Sequence, residues 1–310
     1  MGSRMFATNE GRLLRIPVEV QPVHPGRWGS YRVGHDGAPH AVPGVGGIVT
    51  NLRVGDPALG WVADHAEPCV TARHKENDRN GAVAFLSCIG NTATVICGDA
   101  KGARGVVTGK HGGVEHLMID FPNADLKELA YGDTIRVDTF GQGLSIEETP
   151  DVKLMSLDPR LLKHPSWPIA RDGATLVVPV AKIVPARIMG SGLGSDVSFQ
   201  GDYDIQLFDA ATVEEYGLCD LRLGDIVAIM DADHSYGRIY RTGAVSIGIV
   251  SHADCITAGH GPGATTLMTS PGGAIRPVVD ASANLRTVID ADRRKRRTAT
   301  KAKRKAARRR

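Results

Sequence analysis

The sequence has little of several residue types, and each shortage excludes something. Only five of its 310 residues are cysteine: Cys69, Cys88, Cys97, Cys219 and Cys255. They are odd in number, scattered, and include no C-x-x-C pair, which argues against a disulfide scaffold or a cysteine-rich zinc module and fits a reducing cytoplasm. No apolar run reaches the roughly 18 residues that a membrane helix needs. The opening stretch, MGSRMFATNEGRLLRIPVEV, has no apolar segment followed by a small-residue cleavage site. A cytoplasmic chain with no membrane partner is therefore expected. Aromatic residues make up only 5% of the chain. There is no G-x-S-x-G, Walker A or kinase motif set, and MGSGLGSD (189–196) lacks the strand–helix context of a dinucleotide fingerprint.

The chain is rich instead in turn formers, with 37 glycines and 17 prolines, and 42% of it is hydrophobic, enough for a substantial core. Short β-prone runs recur between Gly, Pro, Asp and Asn: RIPVEVQPV, TATVICG, GVVTG, HLMIDF, DTIRVDTF, TLVVPVAKIV, DIVAIM and AVSIGIV. Helical patterns are few and short, over NADLKELA (123–130), DPRLLKH (158–164) and DAATVEEYGL (209–218). The fold class expected is mainly β (a β-rich α+β chain), with two strand-rich domains built from small barrel-like or sandwich sheets. Four prolines between residues 149 and 170 mark a boundary. The expected division is residues 1–150, residues 151–285, and a disordered basic tail over 286–310.

The net charge of +3 conceals an asymmetry. The last 18 residues, Arg293 to Arg310, contain 12 Lys or Arg and no acid, and without them 25 basic residues face 34 acidic ones, a net of −9. Such a tail cannot bury apolar surface and repels itself. It is either a nonspecific contact to nucleic acid or a solvated extension.

Chemistry-bearing residues gather in three places. GWVADHAEPCV holds Asp64, His65 and Glu67. GDAKGARGVVTGKHGGVEHLMIDF holds Asp99, Lys110, His111, Glu115 and His116. DADHSYGRIYRTGAVSIGIVSHADCITAGHGPG holds Asp231, Asp233, His234, His252, Asp254 and His260. Imidazoles and carboxylates of this kind suit zinc, iron or manganese when they converge, although the spacing is not that of a helical metal motif. The alternative is that the aspartates cap turns and the histidines bond loop backbone. GDAKGARGVVTGKHGG also resembles the loop of a small SH3-like barrel or a KOW motif. Its glycine N–H groups with Lys101, Arg104 and Lys110 would then cradle a phosphate or carboxylate. Gly259, Gly261, Pro262 and Gly263 around His260 suggest close approach to a ligand or to another backbone segment.

Taken together, VGGIVTNLRVGDPALGWVADHAEP, GDAKGARGVVTGKHGG, MGSGLG, GDYDIQLFD, YGLCDLRLGDIVAIMDADHSYGRIYRTGAVSIGIVSHAD and AGHGPG resemble the prokaryotic family known as domain of unknown function 4438. The resemblance covers most of residues 10 to 275. It implies a two-part architecture and carries no established activity. LRLGDIVAIMDADHSYGRIYRTGAVSIGI is also similar, more weakly, to a segment of the metal-dependent acetamidase/formamidase enzymes. That likeness implies a site containing Asp231 or Asp233, His234 and, through GDYDIQ, Asp204. This chain departs from the pattern: its Asp-Ala-Asp-His is one residue longer, Tyr240 and Arg241 stand where that family has a glutamate, and Gly248 replaces a second glutamate.

The expectation that follows is a hydrolase of an amide or related C–N bond. It would hold a divalent metal (Zn, Fe or Mn) on His65, Asp204, Asp231 and His234, with Glu67 or Asp64 as general base. Lys110, His111, Arg238, Arg241 and His260 would contact a small-molecule substrate. The alternatives are a non-enzymatic ligand- or nucleic-acid-binding β protein that uses the Arg293–Arg310 tail, and a small-molecule-binding oligomer. A homo-oligomer is expected in any of these cases.

Overall fold

The computed structural model of the protein describes residues 6–25, 31–190 and 198–307. Most of the MGSGLGSD stretch lies outside the described residues. In chain order the N-terminal half contains β1 (Ile16–Pro22), β2 (Arg32–Val33), β3 (Pro39–His40), β4 (Val70–Arg73), helix α1 (Asn77–Leu86), β5 (Thr92–Cys97), β6 (Arg104–His111), β7 (His116–Asp120), helix α2 (Asn123–Glu128) and β8 (Thr134–Thr139). Six of these strands close into a barrel in the order β1-β4-β7-β6-β5-β8, while β2 and β3 form a separate ribbon.

Period-2 patterning builds the barrel. In β8 (TIRVDT), Ile135, Val137 and Thr139 are buried while Arg136 and Asp138 between them are exposed. β7 (HLMID) breaks the alternation, since all five of its residues are buried. A strand covered on both faces needs no polar face, and the cover here is the second half of the chain.

That half contains β9 (Lys153–Leu154), α3 (Pro159–Leu162), β10 (Ala170–Asp172), β11 (Thr175–Val180), β12 (Lys182–Pro185), β13 (Tyr203–Asp204), α4 (Ala210–Glu215), β14 (Ile226–Asp233), β15 (Ile239–His252), β16 (Gly263–Ser270), β17 (Ile275–Val279) and α5 (Leu285–Ala307). Its main sheet runs β12-β14-β15-β16-β13, with β9 paired to β16, and a smaller sheet runs β10-β11-β17. The Thr265 hydroxyl joins β16 to β6, accepting from Lys110 N at 3.0 Å and donating to Lys110 O at 3.1 Å. One continuous apolar cluster includes Val70, Ile119 and Val137 of the barrel with Ile226, Ile247 and Leu267 of the sheet.

The three helical patterns read from sequence all form. Asp158 caps α3 by accepting from Arg160 N, and Asp209 caps α4 by accepting from Thr212 N. α1 was not anticipated: NDRNGAVAFL carries a mid-helix glycine, and only Asn80, Val83 and Ala84 are buried.

The segment from 286 onward corrects the expectation of a disordered tail. It is helical through Ala307. Leu285, Val288 and Ile289 are buried. The carboxylate of buried Asp120 accepts from Arg53 and Arg293 at 2.7 Å and from Arg286 at 3.3 Å. A docked first turn supplies the nucleus that a helix lacks in isolation, and Ala, Lys and Arg then propagate it. Among the described residues, no helix is long and apolar enough to cross a membrane.

Candidate functional site

Where the barrel meets the main sheet, polar residues from both halves are buried together. The barrel side supplies Asp64, His65 and Glu67 from the loop before β4, Thr71 on β4, His111 at the end of β6 and His116 at the start of β7. The sheet side supplies Asp202, Asp204, His252, Cys255 and His260. Burial on this scale costs free energy unless the groups pair, and nearly all of them do.

Glu67 organises the barrel side. Its carboxylate lies 2.5 Å from His111 Nδ1 and 3.1 Å from His116 Nδ1, and it also accepts from the Thr71 hydroxyl. Burial works against its charge, but His116 and His111 hold its carboxyl well below the ordinary range. Both imidazoles thus direct Nδ1 at Glu67. The His111 ring stacks on that of His252, with centroids 4.1 Å apart.

Asp64 performs the same task beside it. It pairs with Arg32, lies 3.0 Å from His65 Nδ1 and accepts from the Cys255 thiol at 2.8 Å. Burial opposes its charge, but the bonds from His65, Cys255 and Arg32 prevail and lower its pKa. Burial, and then Asp64, push the Cys255 thiol up to about 12. His65 sits at φ +53°, a left-handed conformation uncommon for a non-glycine residue. Its N–H donates to Asp254 O at 3.0 Å. Strain of this kind persists where the surroundings over-determine it, which is common at functional sites.

The sheet side leaves polar atoms without partners. His252 Nδ1 lies 2.8 Å from Ala253 O, an acceptor only, so Nδ1 carries the proton. In the neutral ring, Nε2 is then a lone pair. It lies 3.0 Å from Asp202 Oδ2, out of hydrogen-bond alignment, and 3.7 Å from Asp204 Oδ1. Asp204 Oδ1 is likewise buried without a hydrogen-bond partner. A lone pair facing two carboxylates calls for positive charge between them. Without a cation that charge must come from a proton, and although burial opposes it, Asp202 and Asp204 push the His252 pKa up to about 9. The other carboxylate oxygens are anchored: Gly112 N donates to Asp202 Oδ1 at 2.8 Å, and Asp204 Oδ2 lies 2.9 Å from His260 Nδ1. The space is kept open by Gly263, where a Cβ would fall 2.0 Å from Asp202 Oδ2 and 2.3 Å from His252 Nε2.

Two triads have metal-ligand geometry, Asp202/Asp204/His252 and His65/Cys255/His260, each with one ligand atom per residue lying within 4.8 Å of the others. The first is wholly buried. The second opens through Cys255 and His260 into a cleft of about 300 Å³ whose walls include His35, Leu59 and Phe208.

Of the eleven residues given catalytic, metal or substrate roles from sequence, six meet here: Asp64, His65, Glu67, His111, Asp204 and His260. Five do not. Asp231 occupies a bulge between β14 and β15 at φ +59°, and its carboxylate accepts from Gly243 N at 2.7 Å. His234 bonds Thr266 at 2.9 Å and packs on Tyr203, and burial lowers its pKa to about 3. Neither belongs to either triad. Arg238 donates to Met189 O, and Arg241 pairs with Asp233 at 3.0 Å. Lys110 is fully buried, donates to Ser156 Oγ at 2.9 Å and Phe199 O at 2.6 Å, and does not reach the cleft. The sequence reading passed over Asp202, Cys255 and the central place of His252. Asp202-x-Asp204 was a usable signal, because a two-residue spacing on an extended chain puts both carboxylates on one face.

The N-terminal model of domain of unknown function DUF4438 matches residues 31–163, and its C-terminal model matches residues 166–289. A crystal structure titled TM1086 is similar at 44% sequence identity and a TM-score of 0.85, covering 90% of this chain and 97% of that one. No curated protein matches the sequence.

Proposed function

Starting from a chain that belongs to the DUF4438 family through both of its domains, we propose that the protein is a metal-dependent hydrolase whose cation is held by Asp202, Asp204 and His252. The observation that carries this reading is a pair of buried atoms without hydrogen-bond partners, His252 Nε2 and Asp204 Oδ1, 3.7 Å apart, beside a glycine whose added Cβ would meet Asp202 Oδ2 and His252 Nε2. The donor set, two carboxylates and an imidazole, suits zinc, manganese or iron. The Ala253 carbonyl that fixes the His252 tautomer is the outer-shell contact such ligands commonly make. A divalent cation there supplies Lewis acidity, lowering the pKa of a water and polarising a carbonyl.

The protein's own groups divide the remaining work. Glu67 holds His111 through Nδ1 and leaves Nε2 as the proton acceptor, so the carboxylate expected to be the base acts by orienting the imidazole that is. Asp64 orients His65 in the same manner, which turns the lone pair of its Nε2 toward His260 and Asp204. Small substrates enter by the cleft at His260. Amides or related C–N bonds are the substrate class proposed, because a cation held there would polarise their carbonyl.

The test is ammonia release from a panel of small amides by protein loaded with zinc or manganese. Turnover is expected, and its loss in Asp204→Asn and His252→Ala. Folded, metal-loaded protein that turns over no C–N substrate in the panel would refute the hydrolytic reading.

For the basic helix, the reading is a polyanion contact. Arg294, Lys295, Arg296 and Arg297 are exposed in consecutive positions on an otherwise acidic chain.

A further inference from the structure

We infer that the site is binuclear: a second cation binds at the cleft floor on His65, Cys255 and His260, and Asp204 bridges it to the buried cation. This rests on the metal site just proposed and extends it to the residues that meet the substrate. The bridging geometry lies in one side chain. Asp204 Oδ1 faces His252 at 3.7 Å, while Oδ2 lies 2.9 Å from His260 Nδ1 and 3.9 Å from His65 Nε2. A carboxylate whose two oxygens point into two different ligand sets is how paired metals are commonly linked, and pairs about 3.5–4 Å apart clamp both oxygens of a displacement.

The second set is built for a cation. The Asp64 carboxylate accepts from His65 Nδ1, so Nε2 is the lone-pair nitrogen, and it lies 3.3 Å from His260 Nδ1. His65 and Cys255 are buried, and His260 is part exposed at the cleft. His65 is held in this place by a left-handed backbone. A thiolate and two imidazoles select zinc over the harder cations that would suit Asp202 and Asp204 alone.

The exchange balances. The Cys255 S–H bond breaks, a sulfur–metal bond forms, and the proton leaves to solvent, while His260 passes from the Nδ1–H to the Nε2–H tautomer so that Nδ1 is free to ligate. Asp64 gives up the thiol hydrogen bond and keeps Arg32 and His65. Nothing is oxidised or reduced. The buried cation then anchors Asp204, and the cleft-side cation is the one a substrate reaches.

The experiment is a cobalt(II) titration of full-length protein, stripped by chelation and kept anaerobic. It is followed by absorbance, proton release and bound metal after dialysis, with thermal melts to verify folding. The wild type should bind two equivalents, show a thiolate-to-cobalt charge-transfer band and release the thiol proton in addition to the one that His252 gives up at the buried site. Cys255→Ser should lose the band and the thiol proton. His260→Ala, whose side chain is part exposed and less prone to disturb folding, should fall to one equivalent without the band. His252→Ala should keep the band and lose the other equivalent. One equivalent without a band in the wild type, abolished by His252→Ala and untouched by His260→Ala, would overturn the second site and leave the first standing. No bound metal at all would overturn both.

Discussion

Gly263→Ala puts the proposed centre under the smallest available perturbation. The added methyl would lie 2.0 Å from Asp202 Oδ2 and 2.3 Å from His252 Nε2. An ordinary nonbonded contact needs about 3.5 Å, so each ligand atom must retreat by about 1 Å or more. Metal sites tolerate errors of only about 0.2 Å in ligand distance. The fold has more latitude. Gly263 lies in β16, away from the left-handed region, so alanine adds no backbone strain there, and overpacking of this size costs about 1–3 kcal/mol. The variant should therefore fold with a lowered melting temperature and bind the buried metal at least about 100-fold more weakly, since even outer-shell changes cost 10–100-fold. The assay is equilibrium dialysis against zinc with elemental analysis, beside thermal unfolding. Gly272→Ala, where a Cβ meets nothing within 4 Å, is the control. Folded Gly263→Ala protein with wild-type zinc affinity would refute the placement.

Other outcomes follow from the same geometry. Asp120→Asn should destabilise the protein by about 3 kcal/mol in urea unfolding, because it strands three arginines around a buried position; a change under about 0.5 kcal/mol would mean that α5 docks by its apolar residues alone. His252 has its folded pKa raised to about 9 from 6.5. Metal-free protein should therefore hold this residue's contribution in full below pH 6.5 and lose it as the pH rises toward and through 9, whereas His252→Gln should lack that slope. Glu67 runs the other way: its lowered pKa stabilises the fold above about pH 4.5 and the benefit fades below it, which a Glu67→Gln difference curve in acid unfolding would register. Removing Arg294–Arg310 should leave melting nearly unchanged and abolish the salt-dependent affinity for nucleic acid; intact affinity would place the contact elsewhere.

Much of this fold was legible because it is made of short-range patterns. Alternation in TIRVDT, turn glycines between strands and Asp caps before PRLL and AATVEE all act within a few residues. α5 was not, because what orders its basic turns is Asp120, more than 160 positions upstream and paired with Arg286 and Arg293. The site divided along the same line. The loop His65–Glu67 and the strand residue Asp204 stood out by composition, but which histidines face which carboxylates is set by β6 and β16 meeting through Lys110 and Thr265. The DADH segment misled for a local reason: a bulge at Asp231 turns its carboxylate to Gly243 and leaves His234 against Tyr203. Cys255 carried no signal, since a lone cysteine becomes a candidate ligand only once folding brings two imidazoles beside it.

The most direct measurement is anomalous diffraction from crystals of the full-length protein grown with zinc and, separately, with manganese. A peak is expected about 2.0–2.2 Å from His252 Nε2 and from oxygens of Asp202 and Asp204. Well-ordered Asp202, Asp204 and His252 side chains with no anomalous density between them, and His252 donating Nε2–H to a carboxylate, would contradict the proposed site.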